Sequence, residues 1–252
     1  MRLNEHTGKT LTIPSTILSP PLTHLTALST STLLLVPYSA QHVPTYHTWM
    51  QSPELQALTA SEPLTLDQEY GMQRSWRRDG DKLTFIICVP LEHGEAEGVV
   101  QAGGEGWNDE RMVGDVNLFL SDVDDDAEDE GPGGSGLVGE IELMIALPEH
   151  RCKGYGRSAL LTFMAYVLQH WTSIALEYSS SSSISRQAPL AYLRARINEL
   201  NEKSIMLFDS VGFKRTTEKA NYFGEVELRW RGTEEDLTKC KGWERTRRFR
   251  YE

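Results

Sequence analysis

Short apolar runs and helically spaced apolar positions follow one another along the first third of the chain. Residues 33–37 form an apolar run that ends at a proline, which predicts a first strand. Residues 40–58 carry apolar side chains at helical spacing, and the Ser52-Pro53 step is expected to break this segment into two helices. Residues 66–76 show the same spacing and predict a further amphipathic helix that Thr65 caps.

Strand-like runs dominate the rest of the pattern. The segments predicted there are strands at 83–89, 112–120, 139–146 and 192–197, helices at 157–170 and 204–210, and a closing hairpin at 213–230. Gly212 closes the second of these helices, as glycine commonly does. The pattern predicts a chain that combines both kinds of element without an internal repeat.

Three stretches lack either period and are predicted to be insertions. Residues 5–31 are rich in Thr, Ser, Leu and Pro, residues 122–136 run from acidic to glycine-rich, and residues 179–189 begin with five consecutive serines. Such compositions stay solvated and flexible. The predicted organisation is an N-terminal strand plus insertion at 1–32, one domain at 33–230 with flexible insertions near 121–138 and 179–189, and a basic tail at 231–252.

Composition and charge narrow the class of protein. The formal net charge of −11 argues against general nucleic-acid affinity, so no nucleic-acid partner is expected. No apolar run approaches the ~18 residues of a membrane span, and the N-terminus lacks a secretory signal, so no membrane partner is expected. Three scattered cysteines without metal-ligand spacing indicate a reducing compartment and no metal. We expect a cytoplasmic monomer, with the nucleus as the alternative location.

The motif with chemical content is a glycine-rich turn between the strand at 139–146 and the following helix. Backbone N–H groups at a helix start, together with the helix dipole, can hold a pyrophosphate, and glycine lets the main chain approach the anion. Arg151, Lys153 and Arg157 add positive charge. The turn and first helical residues predicted to bind a phosphate-bearing cofactor are Arg151, Cys152, Lys153, Gly154, Tyr155, Gly156 and Arg157.

Three other interpretations of this turn differ in how well the sequence supports them. Gly154 and Gly156 could simply make a tight strand-to-helix turn, and the sequence leaves that alternative open. A Walker-type phosphate loop is excluded because no Gly-Lys-Ser/Thr follows. A dinucleotide fold is disfavoured because the third glycine is missing and no parallel βαβ series surrounds the turn.

Two motifs in this order resemble those of the GNAT acyltransferases. The first is the Arg-x-x-Gly-x-Gly turn, and the second is Asn201-x-x-Ser204 followed by Phe208 and Gly212-Phe213. Further segments resemble the N-acetyltransferase 9-like branch of that superfamily, and the resemblance covers most of residues 33–230. These segments include Leu58-Thr59-Ala60-Ser61-Glu62-Pro63 and Gly114-Asp115-Val116-Asn117-Leu118-Phe119-Leu120.

The resemblance implies the GNAT fold, an α+β architecture. It comprises a mixed, mostly antiparallel twisted sheet of about seven strands, with flanking helices and a splayed central pair of strands. It also implies acetyl-CoA as co-substrate, with its pantetheine arm paired to the main chain of Met144 and Ala146. Asn201, Ser204 and Phe208 would complete the cofactor site, and a helix N-cap is the equally open role for Asn201.

Acyl transfer to an amine requires a base that removes a proton from the nitrogen. Glu140 and Glu142 share one strand face and are the predicted catalytic residues, although both could simply be solvent-facing. The resemblance implies a tyrosine at Phe208 in many relatives, where it protonates the leaving thiolate. Phe208 cannot do so, and Tyr222 is a substitute on location alone. Cys152 lacks the partners of a nucleophilic cysteine.

The function predicted from these features is acetyl transfer from acetyl-CoA to an amine of a protein or peptide by direct attack. Only the resemblance favours an α-amino group over a lysine. The alternative from another class is a non-catalytic protein that keeps the CoA fold as a scaffold for a cytoskeletal or ribosomal partner. Acetylation of a small polyamine ranks last.

Overall fold

Ten strands form one mixed sheet in the computed structural model, which describes residues 26–90, 99–100, 109–123, 136–181 and 188–251. The strands are β1 Thr26–Ser29, β2 Leu34–Pro37, β3 Lys82–Cys88, β4 Val99–Val100, β5 Met112–Asp122, β6 Leu137–Ile145, β7 Leu190–Asn198, β8 Lys214–Arg215, β9 Glu225–Trp230 and β10 Arg247–Tyr251. Their order across the sheet is β4-β10-β1-β2-β3-β5-β6-β7-β9-β8. Only β4/β10 and β6/β7 are parallel pairs, so the prediction of a mostly antiparallel mixed sheet is confirmed.

The sheet has three more strands than expected from the sequence. All seven strands predicted within residues 33–230 are present, and β1, β4 and β10 are added at one side. β1 lies within residues 5–31, so the prediction that this whole stretch is an insertion is wrong for residues 26–29. The other parts of the predicted insertions, residues 5–25, 124–135 and 182–187, lie outside the described residues.

Seven α-helices flank the sheet among the described residues. They are α1 Val43–Trp49, α2 Pro53–Leu58, α3 Leu66–Trp76, α4 Tyr155–Gln169, α5 Trp171–Ser181, α6 Glu202–Asp209 and α7 Glu234–Thr238. The predicted break between α1 and α2 occurs at Ser52, whose hydroxyl accepts from the Leu55 N–H at 3.5 Å. α3 begins as predicted, because Thr65 and Gln68 form a reciprocal capping box. α5 replaces the start of the predicted serine-rich loop.

Apolar side chains of the central strands point alternately to the two faces of the sheet, so an apolar core forms on each face. On one face, Val116 and Leu118 of β5 pack with α4, whose residues from Ser158 to Val167 are all buried. On the other face, Ile86 and Met144 pack with α1. Since successive strand residues point to opposite faces, the same strands can serve both cores. The helices therefore form a layer on either side of the sheet.

β6 and β7 pair only at their first residues. Registered pairs run from Leu137 with Leu190 to Glu140 with Arg194, after which the two strands separate. β6 nevertheless stays paired with β5 as far as Ile145. The separation confirms the predicted splayed central pair, and the gap between the two strands beyond Glu140 is called the cleft below.

The C-terminal residues are part of the fold rather than a solvated appendage. α7 packs on α4 with Leu237 fully buried, and β10 pairs with β1 in the sheet. Basic residues flank Phe249 and Tyr251 in β10. The high positive charge of this segment therefore obscured its strand pattern in the sequence. The prediction of a tail at 231–252 is therefore wrong for residues 234–251.

No single helix in the described ranges is long and apolar enough to cross a membrane. α4 and the first residues of α5 reach that length only together, and they are bent by 71° at their junction.

Replacing Gly114 by alanine should weaken the pairing of β5 with β6. A Cβ at this position would lie 1.9 Å from the Met144 carbonyl oxygen, which is part of the backbone and cannot move aside. We expect Gly114→Ala to lower the free energy of unfolding by about 1–3 kcal/mol in urea titrations. Gly71→Ala is the matched control, because a Cβ there meets only Arg74 Nη2, at 3.9 Å. Equal stability of the two variants would contradict this account of β5–β6 packing.

Candidate functional site

The turn before α4 presents a concave row of backbone N–H groups. Cys152 has a φ of 59° and Gly154 a φ of 93°, with Lys153 between them. Alternation of left-handed residues with their neighbours is the geometry of an anion-binding nest. Within the described part of the chain, the amides of residues 152–157 donate to no protein acceptor. These residues, called the anion loop below, could hold a phosphate.

Arg151 does not belong to this set. Its Nε donates to the Ile145 carbonyl at 3.1 Å, its Nη2 donates to the Ala146 carbonyl at 3.1 Å, and its Nη1 contacts Glu54 at 2.7 Å. Its own N–H donates to the Pro148 carbonyl at 3.1 Å. The prediction of Arg151 as a cofactor ligand is therefore corrected: its guanidinium braces the end of β6.

Two predicted cations remain available at the loop. Lys153 is exposed and Arg157 is half-buried, and neither has an ion-pair partner among the residues described. A half-buried guanidinium without an anion is unusual, because such groups normally lie against a carboxylate or phosphate. Both side chains are suited to an anionic ligand.

The two glycines of the turn serve different purposes. Gly154 adopts the left-handed conformation that glycine tolerates best, and an added Cβ there would meet only the Thr32 methyl carbon, at 4.0 Å. A Cβ at Gly156 would lie 3.3 Å from Leu207 and 3.6 Å from Leu143, so glycine allows α4 to approach its neighbours. The Tyr155 ring packs edge-on against His150, with centroids 5.9 Å apart, at the entry to the helix.

The open edge of β6 consists of Leu143 and Ile145 rather than Met144 and Ala146. The Ala146 N–H donates to the Val113 carbonyl at 2.9 Å, and the Met144 carbonyl lies against β5. Because main-chain groups alternate along an antiparallel ladder, those of the intervening residues face the cleft. The predicted pairing positions are thus corrected by one residue.

The second motif contributes structure more than ligand groups. The Asn201 side-chain oxygen accepts from the Ser204 N–H at 3.2 Å, so Asn201 is the N-cap of α6. Ser204 is half-buried at this helix start. Phe208 is 4% exposed and packs edge-on against Phe213, so its side chain belongs to the core and the prediction of cofactor contact by it is not supported.

Glu140 is engaged in ion pairs. Its Oε2 accepts from Arg194 Nε at 2.7 Å and lies 3.7 Å from Arg196 Nη1. Glu227 on β9 approaches the same two guanidinium groups. A carboxylate whose Oε2 lies between two guanidinium groups is part of a structural ion-pair network.

Glu142 is in a different environment two residues further along the same face. Its pKa is raised to about 7, first because desolvation disfavours the charged form. The carboxylates of Glu140, Asp115 and Glu225 raise it further. Glu142 is exposed to solvent, which screens these effects in part, but all four causes raise the pKa. Glu142 therefore has the properties of a general base near neutral pH.

Asp115 and Asn117 lie beside Glu142 and were not identified as site residues from the sequence. Asn117 is the cross-strand partner of Glu142, and its amide donates to Asp115 Oδ2 at 2.8 Å. Asp115 is 2% exposed, and burial raises its pKa to about 6. A sequence signal did exist, since two polar residues at strand period two occur in an otherwise apolar run.

Comparison with known proteins points to one family. The Acetyltransferase (GNAT) domain model matches residues 32–214. The N-acetyltransferase 9-like protein of Schizosaccharomyces pombe is 38% identical over 217 residues, covering 81% of this chain and 94% of that protein. Alpha/beta-tubulin-N-acetyltransferase 9 of Homo sapiens is 41% identical over 198 residues, covering 78% of this chain and 79% of that protein. A solved acetyltransferase from Agrobacterium tumefaciens str. C58 shares the fold, with a TM-score of 0.52 at 15% identity over 90% of this chain and 99% of that one.

A substitution can distinguish the hydrogen bonds that the Arg151 guanidinium makes from the effect of its positive charge. Lysine keeps the charge but cannot donate to the Ile145 and Ala146 carbonyls together, as the guanidinium does. We expect Arg151→Lys to lower the free energy of unfolding by about 1–2 kcal/mol in urea titrations. Lys153→Ala, which removes an exposed charge in the same turn, should change it by less than about 0.5 kcal/mol. Indistinguishable unfolding curves would show that Arg151 acts as a surface charge only.

Proposed function

This chain belongs to the GNAT acetyltransferase family and is an N-acetyltransferase, and we propose that it transfers an acetyl group from acetyl-CoA to an α-amino group of a protein. The observation that carries the proposal is the anion loop, whose six amides lack protein acceptors within the described residues. It lies at the end of a strand that has lost one neighbour.

The anion loop is suited to the diphosphate of acetyl-CoA. Its amides, together with Lys153 and Arg157, offer donors and positive charge without requiring rearrangement of the turn. The pantetheine arm contains amide groups, which can pair with the main chain of Leu143 and Ile145 along the open edge of β6. This arrangement directs the thioester towards the face that carries Glu142.

Direct attack on the thioester then follows from the arrangement of carboxylates. The acceptor nitrogen forms a bond to the acetyl carbon while Glu142 takes its proton, and the bond between that carbon and sulfur breaks. CoA departs as a thiolate that solvent protonates, because Phe208 is buried and has no acidic proton. Tyr222, 97% exposed in the loop before β9, has nothing in its surroundings that marks it as the proton donor. Glu140 orients Arg194 and Arg196 instead of acting as the base.

The acceptor we propose is the N-terminal amine of tubulin. Support comes from the human relative, whose name gives alpha/beta-tubulin as its substrate. A tubulin acceptor implies a cytoplasmic location and a cytoskeletal partner, in line with the reducing compartment indicated by the cysteines.

Incubation with purified tubulin and acetyl-CoA tests this function. We expect stoichiometric CoA release, and mass spectrometry should find the new acetyl group on an N-terminal residue. A reaction with spermidine as the acceptor is the small-amine comparison. It should release at least about tenfold less CoA than the reaction with tubulin. Acetylated lysines alone would overturn the α-amino assignment. Binding of acetyl-CoA without turnover on any acceptor would favour the scaffold alternative.

The pKa of Glu142 predicts the pH dependence of the reaction. A base must be deprotonated, so kcat/KM should rise with pH through about 7 and level off above it. Glu142→Gln should lower kcat by about 100-fold or more and remove this rise, while the affinity for CoA is retained. Thiol release followed from pH 5.5 to 8.5 measures both quantities.

Two neighbouring variants act as controls for this assignment. Glu225→Gln removes one of the charges that raise the pKa of Glu142, so it should move the midpoint to lower pH and preserve turnover. Glu140→Gln should mainly reduce stability, because it leaves Arg194 without its closest carboxylate. A full pH dependence in Glu142→Gln would show that another group is the base.

A further inference from the structure

Residues 240–244 cross the edge of the anion loop on their way from α7 to β10. The segment is anchored at its start, where Cys240 Sγ lies 3.7 Å from the Val211 carbonyl and the Trp243 N–H donates to the Cys240 carbonyl at 3.1 Å. The Trp243 side chain is partly buried and packs against the apolar core that includes residues of α4. This part of the chain therefore has a defined position beside the proposed cofactor site.

Glu244 joins the segment to the turn between β1 and β2. Its Oε2 accepts from the Ser31 N–H at 2.7 Å, and its Oε1 accepts from the Thr32 hydroxyl at 2.9 Å. Burial alone would raise the pKa of Glu244, but the bonds from Ser31 and Thr32 lower it overall. The methyl carbon of Thr32 lies 4.0 Å from the Cβ position of Gly154. The turn held by Glu244 thus lies next to the anion loop.

Gly242 meets the loop from the other side, through Arg157. A Cβ at Gly242 would lie 3.3 Å from Arg157 Cδ, and the φ of Gly242 is 86°. The backbone of this glycine limits where the Arg157 side chain can lie. Because Arg157 has no ion-pair partner among the described residues, its guanidinium remains available for an anion at the loop.

We infer that residues 240–244 form an outer wall of the cofactor site, in which Gly242 and Glu244 are positioning residues. Gly242 directs Arg157 towards a phosphate of CoA, and Glu244 holds the β1–β2 turn beside Gly154. The inference rests on the proposed function, because it takes CoA as the ligand of the loop. It places the C-terminal segment, which lies beyond residues 32–214, in the binding site.

Gly242→Asn is the sharpest test. Asparagine tolerates a positive φ better than other non-glycine residues, so the backbone can be kept while the new side chain displaces Arg157. We expect the Kd for CoA, measured by calorimetry on the full chain, to rise about tenfold and to approach that of Arg157→Ala. Gly224→Asn is the matched control: this glycine also has a positive φ (76°), and a Cβ there meets only Asn198 Nδ2, at 3.8 Å. Its Kd should match that of the unchanged protein.

Glu244→Gln tests the other contact and serves if Gly242→Asn does not fold. One amide oxygen cannot accept from both Ser31 and Thr32 as the carboxylate does, so the Kd for CoA should rise about three- to tenfold. Glu235→Gln, which removes a surface partner of Lys239, should leave it unchanged. The KM for acetyl-CoA should rise in Glu244→Gln while kcat is preserved.

The outcomes separate this inference from the proposed function. Failure of the unchanged protein to bind CoA would overturn both. Normal CoA binding by the unchanged protein, with an equal Kd in Gly242→Asn and Glu244→Gln, would overturn the inference alone. A lower melting temperature in these variants without a change in Kd would also overturn the inference. It would show that residues 240–244 contribute to stability and not to CoA binding.

Discussion

The parting of β6 from β7 is the constraint on which the site depends. Backbone N–H and C=O groups removed from water require partners, and the two strands supply them to each other only as far as Glu140 and Arg194. Beyond that point the main chain of Leu143 and Ile145 faces a cleft. Arg151 satisfies one of these groups, the Ile145 carbonyl, and thereby keeps the strand end in place without closing it. A ligand with amide groups of its own can meet the rest.

The charged residues around this cleft divide into structural and reactive groups according to their neighbours. Arg151 and Arg194 are held by carbonyls or carboxylates, whereas Arg157 has no anion beside it in the described structure. The two glutamates of β6 show the same contrast. Glu140 faces two guanidinium groups, whereas the pKa of Glu142 is raised first by desolvation and then by neighbouring carboxylates. Two residues of one type on one strand face thus differ because β7 reaches only the first.

Local patterns in the sequence were sufficient for most of the fold. Caps, proline and periodicity located α1 to α4, α6 and seven strands, because these signals lie within a few residues of each other. β1, β4 and β10 escaped prediction because they are two to five residues long and are defined by pairing with distant segments. Thr26 pairs with Arg250, for instance, and no local pattern records such a partner.

The sequence by itself determined the anion loop, since the glycines and helix start that leave its amides free are adjacent in the chain. It also determined that Glu140 and Glu142 share a face, because strand periodicity is a local property. Only the tertiary structure decided that Arg151 is a brace, that Phe208 is core, and that Glu142 rather than Glu140 is suited to take a proton. Those roles depend on which groups from other strands and helices surround each side chain. The spacing of residues along the chain does not show which distant segments come together in the fold.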